Sequence, residues 1–159
     1  MGRVFGRVLG ALLMASGAVA ATAPPAAADP LKFTLVNTMT WDCLDGTTFH
    51  VQATPCDQRY AQIWYLQGWS STALQLVNSA SSGERCMYAP IEAHGALVET
   101  APCVLPTSRQ WTLVGAGGPG DFEIRPNGST SLCVSQADTI VFLETCSGWR
   151  RQRWTTRDF

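Results

Sequence analysis

The chain has 159 residues, of which 14% are charged, and its 11 basic and 12 acidic side chains leave a formal net charge of −1 at neutral pH. That balance excludes the basic footprint of a nucleic-acid binder. No segment is apolar over the roughly 20 residues that a membrane-spanning helix needs.

In chain order, the first feature is a processing signal. Arg3 and Arg7 form a positive start, residues 8–19 a short apolar stretch, and Ala26-Ala27-Ala28 the small-residue pattern of a signal-peptidase site. Residues 1–28 are therefore expected to be a signal peptide, and residues 29–159 a single secreted domain. Without Arg3 and Arg7 that domain keeps nine basic and 12 acidic residues, a net charge of −3. All six cysteines lie within it. In an oxidising compartment disulfides are the default. Zinc would require close ligand pairs, whereas the nearest cysteines here are 13 residues apart, so no metal is expected.

The mature part then repeats itself three times, over about 31–69, 70–116 and 117–159. The first unit reads Leu35-Val36-Asn37, Cys43-Leu44-Asp45-Gly46, Thr54-Pro55-Cys56 and Gln62-Ile63-Trp64. The second reads Leu76-Val77-Asn78, Cys86-Met87-Tyr88, Ala101-Pro102-Cys103 and Arg109-Gln110-Trp111. The third reads Phe122-Glu123-Ile124, Cys133-Val134-Ser135, Glu144-Thr145-Cys146 and Gln152-Arg153-Trp154. Each second cysteine is followed eight residues later by tryptophan. The runs are short, rich in β-branched and aromatic residues, and broken by Gly, Pro, Ser and Asn about every ten residues. No stretch sustains a helical apolar period. The reading is all-β, about four strands per unit. One unit is too small to bury its apolar face alone. Three can close around a shared axis with Trp64, Trp111 and Trp154 in the core, which also removes open sheet edges.

The C-L-D-G at 43–46, the Q-I-W at 62–64, the Q-R-W at 152–154 and the three Cys–Cys–Trp spacings resemble the ricin-B-type β-trefoil lectin, also described as the family-13 carbohydrate-binding module. The resemblance covers the whole mature chain. It implies a pseudo-three-fold β-trefoil and a disulfide within each repeat: Cys43–Cys56, Cys86–Cys103 and Cys133–Cys146. It also implies where a sugar would sit. The family's galactose-type sites use an Asp two residues after the first Cys, an aromatic ring two before the second, and an Asn and Gln opening the Q-x-W step. Carboxylate and amide groups fix sugar hydroxyls, and a flat ring covers the C–H face.

On that template the first repeat keeps Asp45 and Gln62, with Gln52 as a further polar candidate, but Thr54 replaces the ring and Ala61 the Asn. The second repeat has Tyr88, Ala101, Ser108 and Arg109 in the four places. The third has Ser135, Glu144 and Arg151 and keeps Gln152. At most one site is thus expected, weak, at Asp45, Gly46, Gln52 and Gln62. Asp45-Gly46 also reads as a plain turn dipeptide, and Gln62 and Gln152 as backbone braces. Trp41, Trp69 and Trp149 fall outside the core register, as stacking platforms, interface anchors or partly buried rings. The stretch 149–153 concentrates arginine, as a solvated loop or a partner-binding patch.

Catalysis is not expected. His50 and His94 fall in different repeats without metal-ligand spacing, and no G-x-S-x-G occurs. No cofactor is expected either. Two functions follow: a secreted, monomeric carbohydrate-binding domain for a galactose- or xylose-type glycan, or a trefoil that has lost sugar binding and engages an extracellular protein, as toxin-delivery subunits and protease inhibitors do.

Overall fold

The computed structural model describes residues 30–70, 73–80, 85–103 and 110–158. The expected signal peptide lies outside these residues, as do Ser108 and Arg109. The strands are β1 (Lys32–Asn37), β2 (Asp42–Asp45), β3 (Gln52–Pro55), β4 (Trp64–Ser70), β5 (Ala73–Asn78), β6 (Arg85–Tyr88), β7 (Glu99–Pro102), β8 (Trp111–Gly115), β9 (Phe122–Pro126), β10 (Leu132–Ala137), β11 (Ile140–Thr145) and β12 (Trp154–Asp158). The helical content of the described residues is two single 3-10 turns, Tyr60–Gln62 and Arg150–Gln152.

Six strands close a ring, each pairing antiparallel with the next: β1–β4–β5–β8–β9–β12 and back to β1. The other six form three hairpins, β2–β3, β6–β7 and β10–β11. The hairpins meet one another through Gln52–Ile140, His50–Glu99 and Leu97–Phe142. A six-stranded barrel closed by three hairpins is the β-trefoil that the resemblance implies.

The core is three-fold because each repeat supplies the same positions. Leu35, Leu76 and Ile124 fill one layer, Leu44, Met87 and Val134 a second, and Val51, Val98 and Val141 a third, none more than 1% exposed. Trp64, Trp111 and Trp154 are fully buried among them. A buried indole N–H needs an acceptor. Each finds the equivalent one: Trp64 donates to the Leu44 carbonyl at 2.9 Å, Trp111 to Met87 at 2.9 Å and Trp154 to Val134 at 3.0 Å. These acceptors are the residues following the first cysteine of each repeat. The tryptophans therefore tie the barrel to the hairpins.

The three disulfides are Cys43–Cys56, Cys86–Cys103 and Cys133–Cys146, each stapling one hairpin. One local expectation differs. The Q-x-W step is not strand throughout: Gln62 and Gln152 sit in the 3-10 turns, and β4 and β12 begin at the tryptophans. The glutamine side chains bond to backbone and fold the chain into a turn there.

Candidate functional site

The first-repeat candidates converge at the mouth of the β2–β3 hairpin. Asp45 ends β2, and Gln52, its register partner, opens β3. Gln52 is exposed, whereas Asp45 is only 3% exposed. One Asp45 oxygen accepts from the backbone N–H of Thr47 at 2.8 Å and from the Thr47 hydroxyl. The other accepts from the Thr54 hydroxyl at 3.3 Å and faces Arg59 Nε at 3.3 Å. The Asp45–Thr47 contact is the side-chain-to-backbone bond of an Asx turn. The carboxylate is thus held in place by its own loop and covered by a guanidinium.

Gln62 is fully buried and fully engaged. Its amide donates to Thr54 Oγ1 at 3.0 Å and to the Pro55 carbonyl at 2.9 Å, while its oxygen accepts from Asp57 N–H at 3.0 Å. Gln152 repeats the pattern, donating to the Thr145 carbonyl at 2.9 Å and accepting from Ser147 N–H at 2.8 Å. Both therefore brace the turn that precedes the core tryptophan. Gly46 is buried, and a Cβ there would stand 2.7 Å from Asn78 Nδ2 and 3.1 Å from the Trp64 ring. Its place is the close approach of two repeats behind the Asp45 loop.

Three residues, Arg59, Asn37 and Asn78, take roles that the sequence does not announce. Arg59 covers Asp45 and also pairs with Asp57 at 3.0 Å, with its side chain 48% exposed. It lies two residues outside the Q-x-W step, so the template gives no signal for it. Asn37 and Asn78 are the second finding. Asn78 Nδ2 donates to the Ala61 carbonyl at 2.7 Å, and Asn37 Nδ2 to the Arg151 carbonyl at 2.9 Å. Each asparagine thereby ties its repeat to the 3-10 turn of the preceding one in the closed ring. Their identical place in L-V-N, two residues beyond a core leucine, was the available signal.

In the third repeat Glu144 occupies the ring position and Arg151 the Asn position. They form an ion pair, and Glu144 also accepts from Ser135 at 3.0 Å and from Gln152 at 2.9 Å. A salt-bridged network fills the place of a sugar. In the second repeat Tyr88 donates to Glu99 at 2.7 Å. Among the described residues, one grouping of possible metal ligands occurs, Glu123 with Cys133 and Cys146, and both its sulfurs belong to a disulfide. His50 lies 3.6 Å from Glu99, and His94 accepts from Thr145 N–H at 3.3 Å, on separate hairpin loops.

Of the tryptophans outside the core register, Trp41 is 55% and Trp149 61% exposed; the side chain of Trp69 lies outside the described residues. The Arg151 guanidinium stacks 4.8 Å above Trp149, and that of Arg157 5.6 Å from Trp41. Phe49 and Tyr60, on the loop and turn that flank Asp45, are exposed.

No protein-family model matches the chain, and no curated protein matches it. Solved structures do. The designed three-fold symmetric protein ThreeFoil superposes with a TM-score of 0.72 at 19% identity, over 80% of this chain and 99% of its own. A ricin B-like lectin of Macrolepiota procera, solved with lactose, gives 0.68 at 14% identity, over 84% and 99%. An exo-β-1,3-galactanase of Clostridium thermocellum gives 0.73 at 17% identity over 82% of this chain, which spans only 31% of the galactanase. The fold is thus shared with β-trefoil lectins and with parts of larger glycan-degrading enzymes.

Proposed function

We propose that this chain is a secreted, monomeric carbohydrate-binding trefoil with one weak galactose- or xylose-type sugar site in the first repeat, formed by Asp45, Gln52 and Gln62 with Gly46 behind them. The observation that supports it is the arrangement around Asp45. In the described structure this repeat alone places a carboxylate at the template's Asp position, next to a braced glutamine and an exposed Gln52. The lid over it is the Arg59 side chain, 48% exposed, on a carboxylate that is itself 4% exposed. A sugar's vicinal hydroxyls would have to take over the Arg59 contact as it leaves, because a buried carboxylate left without a partner is costly. Phe49 and Tyr60 are the exposed rings of the adjoining loop and turn that could stand in for the missing aromatic. The missing aromatic at Thr54 and the missing Asn at Ala61 keep binding weak, with Kd for a monosaccharide in the millimolar range, about −4 kcal/mol.

NMR titration with galactose and xylose tests this. Arg59→Ala uncovers the carboxylate and is expected to tighten binding. Asp45→Ala is expected to abolish it. Shifts centred on the second or third repeat, or tight binding unchanged by Asp45→Ala, would refute the placement.

The second reading, a protein-interaction trefoil, rests on the exposed Trp149 beside Arg150 and Arg151 and on the closed third-repeat position. Under it no glycan binds, and Trp149→Ala weakens partner capture instead.

A further inference from the structure

We infer that a second ligand site lies in the cleft between the first and third repeats and takes a neutral oligosaccharide longer than one sugar ring. This rests on the carbohydrate-binding reading but places ligand away from the first-repeat site, with Arg151, the third repeat's Asn position, only at its edge. The cleft has a volume of about 570 Å³. That falls within the about 300–1,000 Å³ of small-molecule sites and exceeds the volume of one sugar ring.

Its separation from Asp45 follows from strand alternation. Successive side chains of a strand point to opposite faces. On β2 and β3, Asp45 and Thr54 serve the first-repeat site, while Asp42, Ala53 and Pro55 line the cleft. On β10, Ser135 faces the Glu144 network and Gln136 faces the cleft. The cleft is therefore bounded by the reverse faces of two hairpins.

The polar groups in it are fixed before any ligand arrives. Gln136 is 3% exposed, and its amide donates to Asp42 at 2.8 Å and to the Asp138 carbonyl at 2.8 Å, while its oxygen accepts from Thr40 at 2.9 Å. One side chain of the third repeat thus sets the carboxylate and the loop of the first. Arg151, at the edge of the cleft, is held by Glu144 and stacked on Trp149. A pre-oriented carboxylate and a pre-oriented guanidinium loses little rotamer entropy on binding. Between them Met39 and Pro55 supply apolar surface. Alternating acceptors, donors and apolar surface match the hydroxyls and C–H faces of a sugar chain. Anions are disfavoured, because Asp42 and Asp138 line the cleft and Glu144 already neutralises the Arg151 guanidinium.

The test is an NMR titration with linear xylose and galactose tetramers against four proteins: wild type, Asp45→Ala, Asp42→Asn and Thr139→Trp. Thr139 is exposed in the β10–β11 turn, and its structural bond is through the backbone carbonyl, which accepts from Ala53 N–H at 3.0 Å. A tryptophan there narrows the cleft from its exposed rim. The expected result is amide shifts at Thr40, Gln136 and Asp138 that survive Asp45→Ala, weaken at least tenfold in Thr139→Trp, and weaken also in Asp42→Asn. Shifts confined to Thr47, Gln52 and Thr54 would overturn the second site and leave the Asp45 site standing. Cleft shifts indifferent to Thr139→Trp would overturn it too. No shift with any oligomer in any folded variant would overturn both.

Discussion

Trp64 shows how one residue type at one spacing builds the molecule. Its ring fills the axis, and its N–H closes on the carbonyl after Cys43. Truncating a buried ring of this size removes apolar contact and leaves a cavity, at about 3–5 kcal/mol. Trp64→Ala, Trp111→Ala and Trp154→Ala should each lose that much in denaturant melts, and a cost below about 1 kcal/mol at any of them would remove it from the core. Gly46 gives a sharper case. A methyl group there meets Asn78 at 2.7–2.8 Å. Gly46→Ala should therefore destabilise by about 1–3 kcal/mol through overpacking. An unchanged melting temperature would show that Asn78 yields freely. The sequence pointed to Asp45-Gly46 as one unit, sugar contact or turn. The structure divides it: the aspartate folds the loop and faces the mouth, while the glycine admits the next repeat.

Between residues and the whole lie the seams. Asn37 and Asn78 each hold the 3-10 turn of the preceding repeat through one amide, and through Oδ1 accept the N–H of Met39 and of Ala80 at 3.0 Å. Pro126 pairs with Trp111 as Asn78 does with Trp64, and at that seam Asn127 contacts Gln110 instead, at 3.0 Å. Removing Asn78 takes away one of two donors to the Ala61 carbonyl, which Gly46 N–H still serves at 2.9 Å, and leaves the exposed Ala80 N–H to solvent, a net loss of about 0.5–1.5 kcal/mol. Asn78→Ala should cost that much and should speed hydrogen exchange at Ile63, whose N–H closes the Tyr60–Gln62 turn at 3.1 Å; protection equal to wild type would mean that the turn holds without the seam. The strands and their order were legible because cysteine and tryptophan spacing marks the repeats directly. The seams were not, since the asparagine looks like any turn residue until the preceding repeat is beside it. Arg59 was illegible for the same reason: its partner Asp45 is 14 positions away in sequence and meets it only when the hairpin and the turn have folded.

At the scale of the molecule, three equivalent repeats hold three unequal surfaces. Core layers, tryptophan bonds and disulfides keep the symmetry, because closure of the barrel demands the same volume and the same acceptor from each unit. The surface positions are under no such demand, and they diverge into a covered carboxylate, a Tyr88–Glu99 pair and a Glu144–Arg151 network. Each bridge closes a short loop, with a chain-entropy contribution of about 3 kcal/mol at most. Non-reducing peptide mapping of the oxidised protein should find the three within-repeat linkages and no free thiol; a Cys56–Cys86 linkage would contradict the repeat architecture. The central claim is that a sugar engages the first repeat. Its most direct measurement is a glycan array probed with residues 29–159 displayed multivalently, because avidity raises millimolar contacts to detectable ones. Folded wild-type protein should bind galactose- or xylose-terminated glycans, and folded Asp45→Ala should lose those signals. A blank array for the folded wild type, or signals that persist in Asp45→Ala, would contradict it.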